Sequence, residues 1–103
     1  MKSRRAILLN ISKNSKLTDF EKLVYKAAFD IPRGQTRSYK WIAQRIKHPM
    51  AFRAVGNALN KNPYPIIVPC HRVVKSDGSL GGFARGADAK RRILRSEGID
   101  YRR

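Results

Sequence analysis

Ser38-Tyr-Lys-Trp-Ile-Ala-Gln-Arg-Ile-Lys-His48-Pro49-Met-Ala-Phe-Arg-Ala-Val-Gly-Asn-Ala-Leu-Asn60 holds two apolar repeats at helical spacing, split by His48-Pro49. Ser38 can cap the first repeat, which sets Ile42, Ala43 and Ile46 on one face. Pro49 suits the first turn of the second, in which Ala51, Ala54, Val55, Ala58 and Leu59 point inward. Asn62-Pro63 ends it. Two short helices joined by a tight break form a helix-turn-helix unit, whose second helix usually enters a groove of DNA.

Working outward, Thr18-Asp-Phe-Glu21 reads as a capping box, with Thr18 as N-cap and Glu21 at the third helical position. Phe20, Leu23, Val24, Ala27 and Ala28 follow at helical spacing and predict a helix over 19–29. Ile31-Pro-Arg-Gly34 stops it in a turn. Residues 1–17 are basic and polar around the short apolar run Ala6–Leu9, and read as a leader or a single edge strand before a domain spanning 18–103. That run is too short for a secretory signal. Beyond the second repeat, residues 64–74 are apolar and β-branched, interrupted by Pro65 and Pro69, and predict an extended, buried segment. Ser76-Asp-Gly78 marks a turn, and four glycines between Gly78 and Gly86 make a loop that can approach a ligand closely. Asp88 can cap a last helix bearing Ala89, Ile93 and Leu94, which Gly98 closes. The fold class that follows is mainly α. It is a small, winged-helix-like helix-turn-helix domain with a short extended segment and minor β content.

Composition names the partner. Of 103 residues, 23 are Lys or Arg and only 7 are Asp or Glu, a net charge of +16. Such an excess resists compaction unless a polyanion is near, and basic side chains displace counterions from nucleic-acid phosphates. No apolar run approaches the length of a membrane span, and no helix joins a basic face to a broad aromatic-rich apolar one. A single cysteine agrees with a reducing compartment, so the expectation is a cytoplasmic, nucleoid-associated protein that is not secreted.

That cysteine lies in Pro69-Cys-His-Arg-Val73. A free thiol is mostly protonated at neutral pH, and positive charge or a histidine base raises the thiolate fraction. Two readings stand on these residues alone: a nucleophile, or a small buried hydrophobe. On an extended segment the Cys70 and His71 side chains would point to opposite faces. One cysteine and two well-separated histidines, His48 and His71, offer no metal-ligand spacing, so neither a metal nor a cofactor is expected.

The order of these motifs is similar to that of the O6-alkylguanine-DNA alkyltransferase family. The resemblance is carried by Ile31-Pro-x-Gly34-x-Thr36-x-Ser38-Tyr39, Ile42-Ala43, Arg53-Ala-Val-Gly56, Asn62-Pro63, Pro69-Cys-His-Arg-Val73, Gly78-Ser-Leu-Gly81-Gly82, Lys90 and Glu97-Gly98, over about residues 18–98. It implies a protein that repairs O6-alkylguanine in double-stranded DNA by moving the alkyl group irreversibly onto its own Cys70. His71 then resembles the general base, acting through a water. Glu97 resembles the acid that orients it, and Asn62 the hinge between the recognition helix and the active-site segment. The target nucleotide must leave the stack. Arg53 matches the residue that fills the gap, while Ala54 and Gly56 suit close approach to a minor groove. Ser38 and Arg72 are further DNA contacts. Around the flipped base, Tyr39 matches the hydroxyl that protonates N3, and Ala84 the backbone N–H that serves O6. Val73 matches the carbonyl wall facing the amino group, and Leu59 and Phe83 line the pocket.

The chain departs from the family pattern at four places. About 17 residues stand where an N-terminal α/β domain is usual. Phe52 replaces a small residue, Phe83 a frequent tyrosine, and Ala84-Arg85-Gly86 a sequence richer in serine and glycine. A monomer is expected, with cooperative binding along DNA left open. Two other functions are compatible with the composition: an alkyltransferase-like module that flags lesions without chemistry, and a small basic protein that compacts nucleic acid.

Overall fold

The computed structural model describes residues 3–64, 67–83 and 85–99. Among the described residues there are five α-helices: α1 (Arg4–Lys13), α2 (Asp19–Phe29), α3 (Tyr39–Arg45), α4 (Phe52–Asn60) and α5 (Ala87–Ser96). Two short strands, β1 (Arg37–Ser38) and β2 (Val73–Val74), pair in parallel with Arg37 opposite Val73 and Ser38 opposite Val74.

Helix α2 begins where the capping box places it. Thr18 Oγ1 accepts from Glu21 N at 3.0 Å, and Thr18 N donates to Glu21 Oε1 at 2.9 Å. The buried stripe is Val24, Tyr25, Ala27 and Ala28. Leu23, expected inside, is 43% exposed. Tyr25 takes the interior instead, because its hydroxyl finds a partner there, donating to Ala58 O of α4 at 2.7 Å.

The helix-turn-helix is α3 followed by α4. Ser38 Oγ accepts from Trp41 N at 2.9 Å and starts α3. The break is a defined turn: His48 N donates to Ala43 O, Ala51 N donates to His48 O, and Lys47 adopts φ +65°. Pro49 belongs to that turn, since α4 begins only at Phe52. Helix α4 buries Val55, Ala58 and Leu59, spaced i, i+3, i+4. Ala54, expected inward, is exposed, because one residue before Val55 means about 100° around the helix.

Residues 4–13 form a helix, in place of the leader or edge strand expected for 1–17. Ser3 caps it, and Ile11 is fully buried. Arg4 pairs with Asp30 and lies over the Phe29 ring. The apolar run Ala6–Leu9 concealed the helical pair Ile7 and Ile11, which packs toward α2.

Around the extended segment, Cys70–Arg72 is one turn of 3-10 helix before β2. At the start of α5, Gly86 (φ 94°) is the N-cap, and Asp88 lies within the first turn, paired with Arg91. Asp88 is two residues too late to serve as the cap. At the other end, Gly98 N donates to Arg95 O and Ile99 N to Leu94 O, closing the helix as expected.

Candidate active site and nucleic-acid interface

The 3-10 turn decides the relation of Cys70 to its neighbours. At about three residues per turn, Cys70, His71 and Arg72 point in three directions rather than to two faces. Cys70 is buried, as a free thiol, with its N–H donating to Val68 O at 2.8 Å. His71 and Arg72 turn together onto Glu97, the C-cap of α5.

The carboxylate of Glu97 carries that cluster. His71 Nε2 lies 3.0 Å from Oε2, Arg72 Nε donates to Oε1 at 2.9 Å, and Arg72 Nη2 donates to Oε2 at 2.6 Å. Arg72 Nη1 also donates to Ile31 O at 2.9 Å. The Arg72 hydrogen bonds come first among the causes that hold the Glu97 carboxyl down at about 2, with the His71 contact adding to them. The Arg72 guanidinium is therefore committed inward. It is only 14% exposed and does not lie on an outer DNA-facing surface.

Burial pushes the His71 imidazolium below its ordinary pKa, against the opposing pull of Glu97. The ring is neutral at pH 7. An Nε2–H donated to the carboxylate leaves Nδ1 as the basic nitrogen, and Nδ1 is buried with no hydrogen-bond partner among the described residues. A base with its other nitrogen held by an acid is the arrangement that activates a nucleophile.

Tyr39 and Lys90 form a second polar cluster, joined to each other and to the Gly82 carbonyl. Tyr39 starts α3 and donates to Gly82 O at 3.3 Å; burial raises its phenol to about 12, so it remains a proton donor at neutral pH. Gly81 makes room for it. That residue has φ +79°, and a Cβ there would fall 2.7 Å from the Tyr39 hydroxyl.

Lys90 is fully buried. Its ammonium donates to Val73 O at 2.7 Å, Gly82 O at 3.2 Å and Tyr39 Oη at 3.4 Å. Burial lowers it to about 8. The motif that holds Lys90 assigns it no role, but a lysine on the apolar stripe of α5, where Leu94 is also buried, is itself a signal.

Asn62 fastens the chain between α4 and Cys70. Its Oδ1 accepts from Tyr64 N at 2.9 Å, and its Nδ2 donates to Val68 O at 3.0 Å and Tyr64 O at 3.3 Å. Val73 is fully buried, Leu59 is 5% exposed in the core, and Phe83 packs partly buried against that core. Ala84 lies outside the described residues.

The outer face of α4 is the candidate nucleic-acid surface. Arg53 and Ala54 are exposed on it, and Gly56 is half-buried. A cleft of about 420 Å³ opens beside Arg53, lined among others by Tyr39, Lys40, Phe52, Gly56 and Lys75. Phe52 fills part of the space that a smaller residue would leave, with the Lys40 ammonium 5.5 Å from its ring centroid. Ser38 is occupied as the α3 cap, which fixes it at the mouth of the helix-turn-helix.

The chain is similar to known proteins in sequence and in fold. The family described as 6-O-methylguanine DNA methyltransferase, DNA binding domain, matches residues 19–99. A methylated-DNA--protein-cysteine methyltransferase of Methanosarcina barkeri is 56% identical over 80 residues, covering 78% of this chain and 51% of the relative. The chain thus spans about half the length of the curated relatives it matches. Mycobacterium tuberculosis OGT, solved in complex with DNA, superposes with a TM-score of 0.78 at 50% identity, covering 80% of this chain and 50% of that one. Schizosaccharomyces pombe Atl1, solved with damaged DNA containing O6-carboxymethylguanine, gives 0.71 at 32% identity, over 81% and 79% of the two chains. With 81 consecutive residues matched, the chain belongs to the 6-O-methylguanine DNA methyltransferase family, through its DNA-binding domain.

Proposed function

We propose that this protein repairs O6-alkylguanine in double-stranded DNA by a single, irreversible transfer of the alkyl group to Cys70. The observation that carries the proposal is the cluster behind the thiol, in which His71 and Arg72 converge on one buried carboxylate, Glu97. The bond between the alkyl carbon and guanine O6 breaks as the bond to Cys70 Sγ forms. The thiol proton leaves through His71, and guanine departs with a proton gained at N3. Glu97 holds the imidazole so that Nδ1 faces its task, and Arg72 keeps Glu97 ionised. Tyr39, raised to about 12, supplies the proton to N3. Lys90 uses one lone pair of the Val73 carbonyl, which leaves the other for the guanine amino group. Asn62 acts as the hinge asparagine, and Leu59 and Phe83 shape the pocket wall.

An O6 substituent is hidden in a duplex, so the nucleotide is flipped out of the stack. The exposed Arg53 takes its place, with Ala54 and Gly56 allowing α4 to lie close in the minor groove and Ser38 at the mouth of the unit. The charge of +16 supplies affinity that depends on salt. The setting is the cytoplasmic nucleoid. The test is intact-mass analysis after incubation with a duplex containing O6-methylguanine. One added methyl group, mapped to Cys70 and absent from Cys70→Ala, is expected. An unmodified Cys70 under saturating lesion refutes the proposal, and lesion binding without transfer would mark a flagging module.

A further inference from the structure

Helix α1 precedes the family match, yet it is joined to the nucleophile by an unbroken series of hydrogen bonds. The joint is Tyr64. Its hydroxyl donates to Asn10 Oδ1 at 2.9 Å and accepts from Asn14 Nδ2 at 3.0 Å, so it reads the end of α1 from both sides. The Tyr64 main chain is clasped by Asn62, whose side chain accepts from Tyr64 N and donates to Tyr64 O. That same carbonyl accepts from Val68 N at 2.9 Å, and Val68 O accepts from Cys70 N at 2.8 Å. The series runs from α1 side chains through Tyr64 and Val68 to the backbone of the thiol residue.

Both ends are anchored. Helix α1 is held on α2 by the fully buried Ile11 and by Arg4 on Asp30. The Tyr64 ring meets Tyr25 edge-on, with centroids 6.4 Å apart, and Tyr25 in turn donates to Ala58 O on α4. Tyr64 therefore sits where the N-terminal helix, the recognition helix and the Cys70 segment meet. A hydroxyl with both a donor and an acceptor partner fixes its ring more firmly than packing alone.

We propose that Tyr64, bridged to Asn10 of α1 and to its C-cap Asn14, is a positioning residue that sets where the Cys70 segment lies relative to α4. It touches no reacting atom and acts through Asn62 and Val68. The claim about transfer rests on the alkyl-transfer reading; the claim about the segment does not, and the experiment separates them.

Amide hydrogen exchange is measured on the parent, on Tyr64→Phe and on Asn10→Ala. The phenylalanine keeps the ring against Tyr25, and Asn10 is exposed, so its replacement leaves the core intact. In both variants the Cys70 amide should exchange about tenfold faster, the effect of losing one or two ordinary hydrogen bonds. The Val55 amide, inside α4, should keep its parent protection. Unchanged exchange at Cys70 overturns the proposal, and so does acceleration that is equal at Val55, because α1 would then be a general stabiliser. With O6-methylguanine duplex, the single-turnover transfer rate constant should fall by a similar factor while DNA affinity stays within about twofold. A variant that transfers at the parent rate despite faster exchange overturns the positioning role. A parent that transfers nothing refutes the alkyl-transfer reading, and the exchange comparison still decides whether Tyr64 positions the Cys70 segment.

Discussion

Glu97→Gln tests how the site is held together. The carboxylate accepts three hydrogen bonds, at 3.0, 2.9 and 2.6 Å, from a buried histidine and a largely buried arginine. Glutamine has the same shape, but one acceptor oxygen becomes an NH₂ that must face an N–H of Arg72 or His71. A fall of the carboxyl from 4.5 to about 2 corresponds to about 3 kcal/mol of stability. The sign is set by the depressed folded-state value: the contribution is complete above pH 4.5 and disappears as pH falls to about 2. The variant never has it. His71 adds a slope of its own, because its folded pKa lies below 6.5 and the unfolded chain protonates first. Both proteins therefore lose stability below about pH 6.5, and the variant at least as steeply, since Glu97 is what supports the basicity of His71. Urea unfolding followed by the fluorescence of Trp41, the only tryptophan, gives the difference at each pH. It should be about 3 kcal/mol near neutrality and should narrow below pH 4.5. A difference that stays constant from pH 7 to 3, or a variant as stable as the parent at pH 7, would show that the charge of Glu97 does not hold the cluster.

Two more substitutions probe the two sides of the molecule. In Gly56→Ala the new Cβ would lie 3.7 Å from the Tyr39 ring, an ordinary contact, so packing does not require glycine there. The variant should gain about 0.5–1 kcal/mol in thermal or urea unfolding yet bind duplex DNA more weakly; parent affinity in fluorescence anisotropy would mean that DNA does not approach this face of α4. Lys90 has a folded pKa lowered from 10.5 to about 8, so the unfolded chain holds the proton longer and parent stability should rise as pH increases from 8 to 10. Above that, the raised Tyr25 and Tyr39 phenols reverse the slope. Urea midpoints of Lys90→Met should lack the rise, and a parent flat across that window would sink the assignment.

What the sequence made legible was local. Thr18 with Glu21, Ser38 before Trp41 and Gly98 after Arg95 are motifs whose partners lie within four residues, and each folds as read. Local sequence misleads where a distant partner decides. Tyr25 displaces Leu23 from the interior because α4 offers it the Ala58 carbonyl. Arg72, expected as a DNA contact, turns to a carboxylate 25 residues away. Asp88 and Pro49 carried sound terminal preferences, but the helices start elsewhere, at Gly86 and just after Ala51. The placement of Cys70 and His71 on opposite faces assumed extended backbone, which the 3-10 turn replaces.

The less visible half of the site comes from one helix. Lys90, Leu94 and Glu97 are spaced i, i+4 and i+7, which at 3.6 residues per turn puts them along one side of α5 and just past its end. Leu94 is fully buried and fixes that side against the core. Lys90 is thereby carried to the Val73 and Gly82 carbonyls, and Glu97 to His71 and Arg72. A single rigid element thus sets a cation on the Val73 and Gly82 carbonyls and an anion on His71 and Arg72. The +16 charge of the chain does not dictate this local order, since both groups are removed from solvent and each is defined by its partners. A charge on the apolar stripe of a helix that Leu94 commits to the core costs stability unless it is fully bonded. Such a lysine is the sequence mark by which this half of the site can be found.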